Sequence, residues 1–429
     1  MITADSFLSE EGGFQMGFFS RLFKKPEMRD SLPGSGYGFR FGPSASGKVV
    51  NQTTAMQTSA VYACVRVLSE ALAGLPLHVY RYTEDGGKER AADFYLDTLL
   101  HDSPNEEQTS FVFRETMMCN ILTSGNAYAQ IIRNGKGQVV ALYPLMPKRM
   151  TVDRGSDGRL FYQYQLGSDE AQSQKEKPGS IILEPRDVLH IPAMSFDGIM
   201  GESPIAVAKN SVGLSIACSE YTASFYKNGA APSGVLEHPG LIKDVNRIRE
   251  SWNSNYGGSG NAGKVAILEE GMKFTPVSVS PADSDLIDTM KYTVTDIARI
   301  FRVPPHMIAD LDRATFSNVE QLSLEFVKFT LNPWVVRWEQ ALTKALLTQE
   351  EKKEYFIQFN VDGLLRGDYA SRMNGYAAGI QCGLYSINDC RKMQDMKLVP
   401  EEMGGDVHMV NGNMIDAGHV GVQYTKTSG

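Results

Sequence analysis

The sequence predicts an α+β protein of several parts, on three observations. Helical patterns closed by a glycine run straight into strand patterns twice, around Gly74 and Gly125. A long helical pattern at 203–229 and a second one from Asp283 bracket a compact insert. Residues 299–338 then hold a short polar loop between a helix stopped by Pro304 and Pro305 and a long apolar helix interrupted by Pro333. A proline has no backbone N–H and its ring crowds the preceding turn, so the pair ends the first helix and Pro333 kinks the second. That stretch carries no recognisable catalytic group, and the role it suggests is mechanical.

Taken in order, residues 1–50 read as a flexible arm. SLPGSGYGFRFGPSASGK is rich in Gly, Ser and Pro and follows a short basic amphipathic piece, GFFSRLFKK, opened by Met16, a second candidate start. The acidic opening MITADSFLSEEGGFQ lacks the order of a secretory signal, so the chain is expected to stay in the cytoplasm until it joins something larger. SAVYACVRVLSEALAGLPLHVYRY gives a helix with Gly74 as its stop, then a strand, with a turn at DGGK. Residues 107–153 give a helix ending at Gly125, a strand, an Asn134-Gly135 hairpin and further strands. FYQYQL and SIILE are strands separated by a polar spacer.

Ser203 and Pro204 are suited to the N-cap and first position of a helix reaching Asn228-Gly229. At about 1.5 Å per residue that element would span roughly 40 Å. The insert 230–282 is expected to hold a strand at PSGVLE, a helix at LIKDVNRIRESWNSNY and strands at KVAILEE and KFTPVSV. From Asp283, Leu286, Ile287, Met290, Val294, Ile297 and Phe301 fall on one helical face. YFIQFNVD returns to a strand, and 367–400 holds two short helices, the second opened by the Ser386/Asp389 capping-box pattern.

Composition narrows the function. The 429 residues can form two to four domains, and no run of about 18 apolar residues suits a bilayer. Five scattered cysteines without a CxxC pair argue against a disulfide framework or a zinc site. A net charge of −8 argues against gripping nucleic acid, which is done by neutralising phosphates, yet is compatible with letting it pass.

Two segments imitate an ATPase. GPSASGKV matches GxxxxGK, and VAILEE resembles an apolar strand ending in acids. Val49 stands where a phosphate loop needs Ser or Thr for Mg²⁺, no apolar strand precedes the loop, and Glu269 stands where Asp is usual. His190 in VLHIP reads as a core histidine, His306 as a loop or cap residue, and Trp252, Trp334 and Trp338 as packing groups. No cofactor or metal site is expected.

SAVYACVRVLSEALAGLPLHVYR, SGNAYAQIIR, DVLHIPAMSFDGIMGESPI, YKNGAAPSGVL, FRVPPHMIAD, SNVEQ and LLRGDYASRMNGYAAGIQCGLYSINDCRKMQDMKLVPEEMGGD, in this order over about 50–406, resemble the HK97-type portal proteins of tailed bacteriophages. The resemblance implies a ring of identical subunits, typically twelve, at one capsid vertex, through which double-stranded DNA is packaged and later ejected. It implies as partners the terminase large subunit, the major capsid protein and scaffold, and a head-completion or adaptor protein, with no membrane. Along the chain it implies an α/β wing (51–202), a two-helix stem (203–229 and 283–303) around a clip (230–282), a tunnel loop (304–318), a kinked helix and wing strand (319–366) and a crown (367–405), then a tail (406–429). Leu311, Asp312, Arg313 and Thr315 are the expected channel residues, Arg247 and Arg249 the expected terminase-docking residues and Pro333 the expected kink. An acidic channel would avoid sticking to a polyanion. The competing classes are a packaging ATPase or nuclease and a monomeric binding module.

Overall fold

The computed structural model describes residues 39–84, 86–167, 179–227, 234–241, 243–256, 265, 267–268, 271–276, 283–310, 316–361, 369–394 and 396–409. They fall into two compact units, Met1–Asn360 and Val361–Gly429. No described helix is long and apolar enough to cross a membrane.

The first unit opens with order where an arm was expected. β1 (Gly42–Pro43) and β2 (Val49–Val50) pair antiparallel across a turn closed by Ser44 N–H to Lys48 O at 2.8 Å. A short helix α1 (Gln52–Met56) follows, with a reciprocal Asn51/Thr54 cap. α2 (Ser59–Ala73) buries Val61, Cys64, Val65, Leu68 and Leu72, one helical face, against α4 (Ser110–Ser124). Gly74 is its cap as expected, but at a right-handed φ of −74°. The stop therefore comes from Pro76, which disfavours helix at Leu75. Gly125 closes α4 in the left-handed conformation, φ +83°.

β3 (Leu77–Tyr82) sits between β4 (Lys88–Arg90) and β13 (Tyr355–Phe359), so the strand near residue 357 completes a sheet begun near residue 80. α3 (Tyr95–His101) packs on β3. Arg114 of α4 is buried and donates to Ala73 O and Leu100 O, the last turns of α2 and α3, and burial pushes its pKa down to about 10.

β5 (Asn126–Arg133) and β6 (Val139–Leu145) form the expected hairpin. The left-handed residue is Gly137 (φ +81°), not Gly135: the loop is a three-residue turn held by the Asn134 side chain, with a bulge at Ile132/Arg133. β7 (Met150–Arg154), β8 (Leu160–Gln165) and β9 (Ser180–Leu183) form a second sheet, and β10 (Val188–Pro192) pairs with β5. Tyr128, Leu145, Met150, Tyr162, Tyr164, Leu166 and Val188 weld the two sheets.

The single helix expected over 203–229 is two. α5 (Pro204–Val207) ends at Ala208 and α6 (Lys209–Lys227) follows. α5 docks on α4, whereas α6 packs along α8 (Asp283–Phe301), so each piece takes the direction of its own partner. Between them β11 (Gly234–Glu237) pairs with β12 (Lys273–Pro276), and Trp252 of α7 (Val245–Tyr256) stacks on Phe274 at 5.4 Å. Helix α7 starts later than expected, where Asp244 accepts the Arg247 N–H. The strand expected at KVAILEE is not formed at its described positions: Val265, Ile267 and Leu268 have no strand pairing, and Val265 and Ile267 are exposed. An alternating apolar pattern makes a strand only where a neighbour takes its hydrogen bonds, and no such pairing occurs among the described residues there.

After α8 come a 3₁₀ turn, Pro305–Ile308, then α9 (Phe316–Glu325), a π-helix at Phe326–Leu331 and α10 (Asn332–Leu346). Pro333 lies in the first turn of α10 and the irregularity falls on the six residues before it. The Asn332 N–H reaches back five residues to Val327 O, a widened turn next to a residue that cannot donate. Trp338 is fully buried against Phe359, and α11 (Glu351–Glu354) leads into β13. In the second unit, α12 (Tyr369–Gln381) precedes α13 (Ile387–Lys392), which carries the expected Ser386/Asp389 capping box.

Candidate functional site

A frame holds the chain where α8 ends. Helix α8 ends at Phe301, and the next residue, Arg302, has a φ of +58°, unusual for a residue with a Cβ; Ala309, beyond the 3₁₀ turn, has φ +62°. Left-handed backbone at a non-glycine residue costs about 1–2 kcal/mol and persists where surroundings hold it. One such holder is Thr330, in the π-helix, which donates to Arg302 O at 2.7 Å. His306 lies in the 3₁₀ turn with both ring nitrogens shielded and no hydrogen-bond partner among the described residues. Leu311, Asp312, Arg313 and Thr315 lie outside the described residues.

The frame continues along α10. Arg337 donates to Pro192 O at 3.0 Å and Ala193 O at 2.8 Å, the end of β10. There the chain meets a glycine seam. Ala193 N–H donates to Gly125 O, while Asn126 grips Gly201 with both halves of its amide, Nδ2 to Gly201 O at 2.9 Å and Oδ1 accepting Gly201 N–H at 2.8 Å. Because Asn126 Oδ1 can only accept, the His190 Nε2 beside it at 3.0 Å must donate, leaving Nδ1 to accept the Tyr162 hydroxyl at 3.2 Å. His190 is thus neutral, and burial, helped by Lys344, pushes its pKa down to about 4. It is the structural histidine the sequence suggested. Ser203 then donates to Thr123 O and caps α5. The π-helix thus holds the end of α8, α10 holds the end of β10, and the start of α5 is held by α4.

Residues 42–50 lie on α6. Ala45 N–H donates to Asn210 Oδ1 at 3.0 Å, Ser44 packs so closely on Gly213 that a Cβ there would overlap its side chain, and Lys48 pairs with Glu220. The GxxxxGK match is therefore a turn between two short antiparallel strands, where a phosphate loop would need a strand-to-helix junction. The flexible setting expected for 39–50 is corrected by these contacts; residues 1–38 lie outside the described ones. Lys48→Ala removes a half-exposed pair worth about 0–1 kcal/mol. Its thermal midpoint and assembly state should match the parent, and ATP binding that the substitution abolishes would contradict this.

Arg247 and Arg249 are exposed on α7, on either side of the inward edge formed by Ile248 and Trp252. Residues two apart on a helix do not share a face. Trp334 carries Arg337 over its ring. No described cluster of three or more His, Cys, Asp or Glu could hold a metal. Sequence reasoning quoted SGNAY and GIMGE without assigning Asn126 or Gly201 a role; their signal, a glycine beside an asparagine, is too common to stand out.

A family model described as phage portal protein matches residues 59–395. The probable portal protein of Streptomyces phage phiC31 is 34% identical over 415 residues, covering 91% of this chain and 87% of its own length. The portal protein of Enterobacteria phage HK97 is 32% identical over 397 residues, covering 91% and 88%. Among solved structures, a chain of the virion of a native gene transfer agent particle superposes with a TM-score of 0.55 at 24% identity, covering 83% of this chain and 96% of its own. An HK97 family phage portal protein from Corynebacterium diphtheriae gives 0.52 at 16%, covering 72% and 95%.

Proposed function

The chain belongs to the phage portal protein family, and from that membership we propose that it is a non-enzymatic subunit of a ring channel through which double-stranded DNA enters and leaves a capsid. The observation that supports this reading is the brace at the end of α8: Thr330 of the π-helix holds the Arg302 carbonyl, and Arg337 of the α10 that continues it holds the end of β10. A chain end held in this way can meet a passing polymer without disturbing the fold around it. Along α8, the inner end of the apolar face is buried at Ile297 and Phe301, whereas Ile287 is 51% exposed, as suits a helix whose outer half meets another subunit. Residues 51–202 with β13 act as the wing, 203–229 and 283–303 as the stem, 230–282 as the clip, 304–318 as the tunnel loop and 367–405 as the crown. Capsid protein, scaffold and head-completion protein contact this ring at the virion vertex, after assembly in the host cytoplasm. Electron microscopy of the purified protein should show rings with a central hole; monomers at every concentration would refute the reading.

The terminase large subunit docks on the clip in this scheme, through Arg247 and Arg249. Charge reversals at an interface rim act chiefly on association rate and its salt dependence. Arg247→Glu and Arg249→Glu should each leave rings intact and weaken terminase binding at low salt. Normal packaging by both variants at low and high salt would place the docking surface elsewhere.

A further inference from the structure

We propose that the cleft between the β8/β10 edge and the C-terminal end of α10 is a binding site for a phosphate-bearing ligand. The cleft encloses about 630 Å³, within the range of small-molecule sites. Arg133, Arg186, Lys344 and Lys352 line it beside Tyr162 and His190, and its lining contains no carboxylate. In a chain of net charge −8, four cations lining one concave surface whose lining holds no acid favour an anion there.

The positioning of these groups supports the assignment. The Arg133 guanidinium donates to Gly137 O, Arg186 O and Ala345 O, at 3.2, 3.3 and 3.0 Å, so carbonyls hold it in place, while its charge also acts on the nearby Asp187. Lys352 reaches Lys344 O at 3.2 Å. The Lys344 ammonium has no hydrogen bond or ion pair among the described residues. Arg186 pairs with Glu184 at 2.9 Å and lies 3.8 Å from Asp187, two acids outside the lining. Glu339 borders the neighbouring shallow groove and accepts the Phe359 N–H. His190 is held neutral by Asn126 and Tyr162 and serves as a wall of the site.

A purely structural account is that Arg133 and Lys352 cap the last carbonyls of α10. It uses only part of their capacity, since a guanidinium has five N–H groups and an ammonium three, and it leaves the Lys344 ammonium without a role. A tetrahedral oxyanion, which accepts several charge-assisted bonds at once, fits the remaining donors. That chemistry is shared by free phosphates and by a nucleic-acid backbone.

The test uses the full chain, titrated calorimetrically with inorganic phosphate, pyrophosphate and a 12-base-pair duplex, each at constant ionic strength against chloride. At least one should bind the parent. Lys344→Gln should weaken that binding about tenfold and Lys344→Gln with Arg186→Gln more, as lost charge-assisted bonds do. Arg159→Gln, an exposed charge in the β7–β8 turn, should leave it unchanged. Binding of phosphate or pyrophosphate identifies a free ligand, and binding of the duplex alone identifies the nucleic-acid backbone. No binding above chloride, or equal losses in the Arg159 and Lys344 variants, would overturn the proposal, and neither result depends on whether rings form.

Discussion

Gly125→Ala is expected to lower the thermal midpoint by about 5 °C or more and to deplete assembled protein. Two costs add. At φ +83° any Cβ carries a left-handed penalty of about 1–2 kcal/mol. The new methyl would also stand 2.6 Å from the Glu202 carbonyl carbon and 2.7 Å from Ser203 N, main-chain atoms that cannot swing aside as a side chain can. Overpacking of that kind costs about 1–3 kcal/mol more. Gly158 provides the control, because it has nearly the same φ, +79°, and nothing within 4 Å of its would-be Cβ. Gly158→Ala should show the dihedral penalty alone. Equal shifts in the two variants, measured by thermal unfolding under one set of conditions, would mean that the seam between Gly125 and Gly201 is not closely packed. The larger shift at Gly125 should come with loss of rings, because the seam sets where α5 leaves the sheet.

Asp312→Lys is expected to shorten the packaged DNA at low salt and to recover as salt rises. The substitution changes the charge by two in each subunit and repeats it around a ring, so the channel would gain a belt of cations. Each phosphate neutralised steepens log affinity against log salt by about 0.9, so drag on DNA should be strongly salt-dependent. Ring formation should be unaffected, since the residue lies in the loop and the described frame is held by Thr330, Arg337 and Asn126. The measurements are DNA length per capsid across a salt series, with ring formation scored by electron microscopy. Parental packaging at every salt would place Asp312 away from the channel; missing rings would make the loop a structural joint.

Much of the fold was legible because local signals and tertiary needs agree. Ser203, Ser386 and Gly125 act at the helix ends their chemistry suits, and the apolar face of α2 is the face it buries. Where they disagree, the local signal misleads. GPSASGK has the composition of a flexible segment, yet Asn210, Gly213 and Glu220, more than 160 residues on, hold it as a hairpin. VAILEE has the pattern of a strand, but its described residues find no strand partner in this chain.

By itself, then, the sequence determined the family, the α+β class, most of the helices and strands, and the prolines that punctuate 299–338, because each depends on residues near one another or on their order along the chain. Only the tertiary structure decided that the helix from Ser203 breaks at Ala208, and that Asn126 meets Gly201, Arg337 the end of β10 and Thr330 the end of α8. These depend on which backbone groups meet across 28 to 145 residues of chain. A hydrogen bond of that span leaves no periodicity behind, and any polar side chain of the right length could have made it.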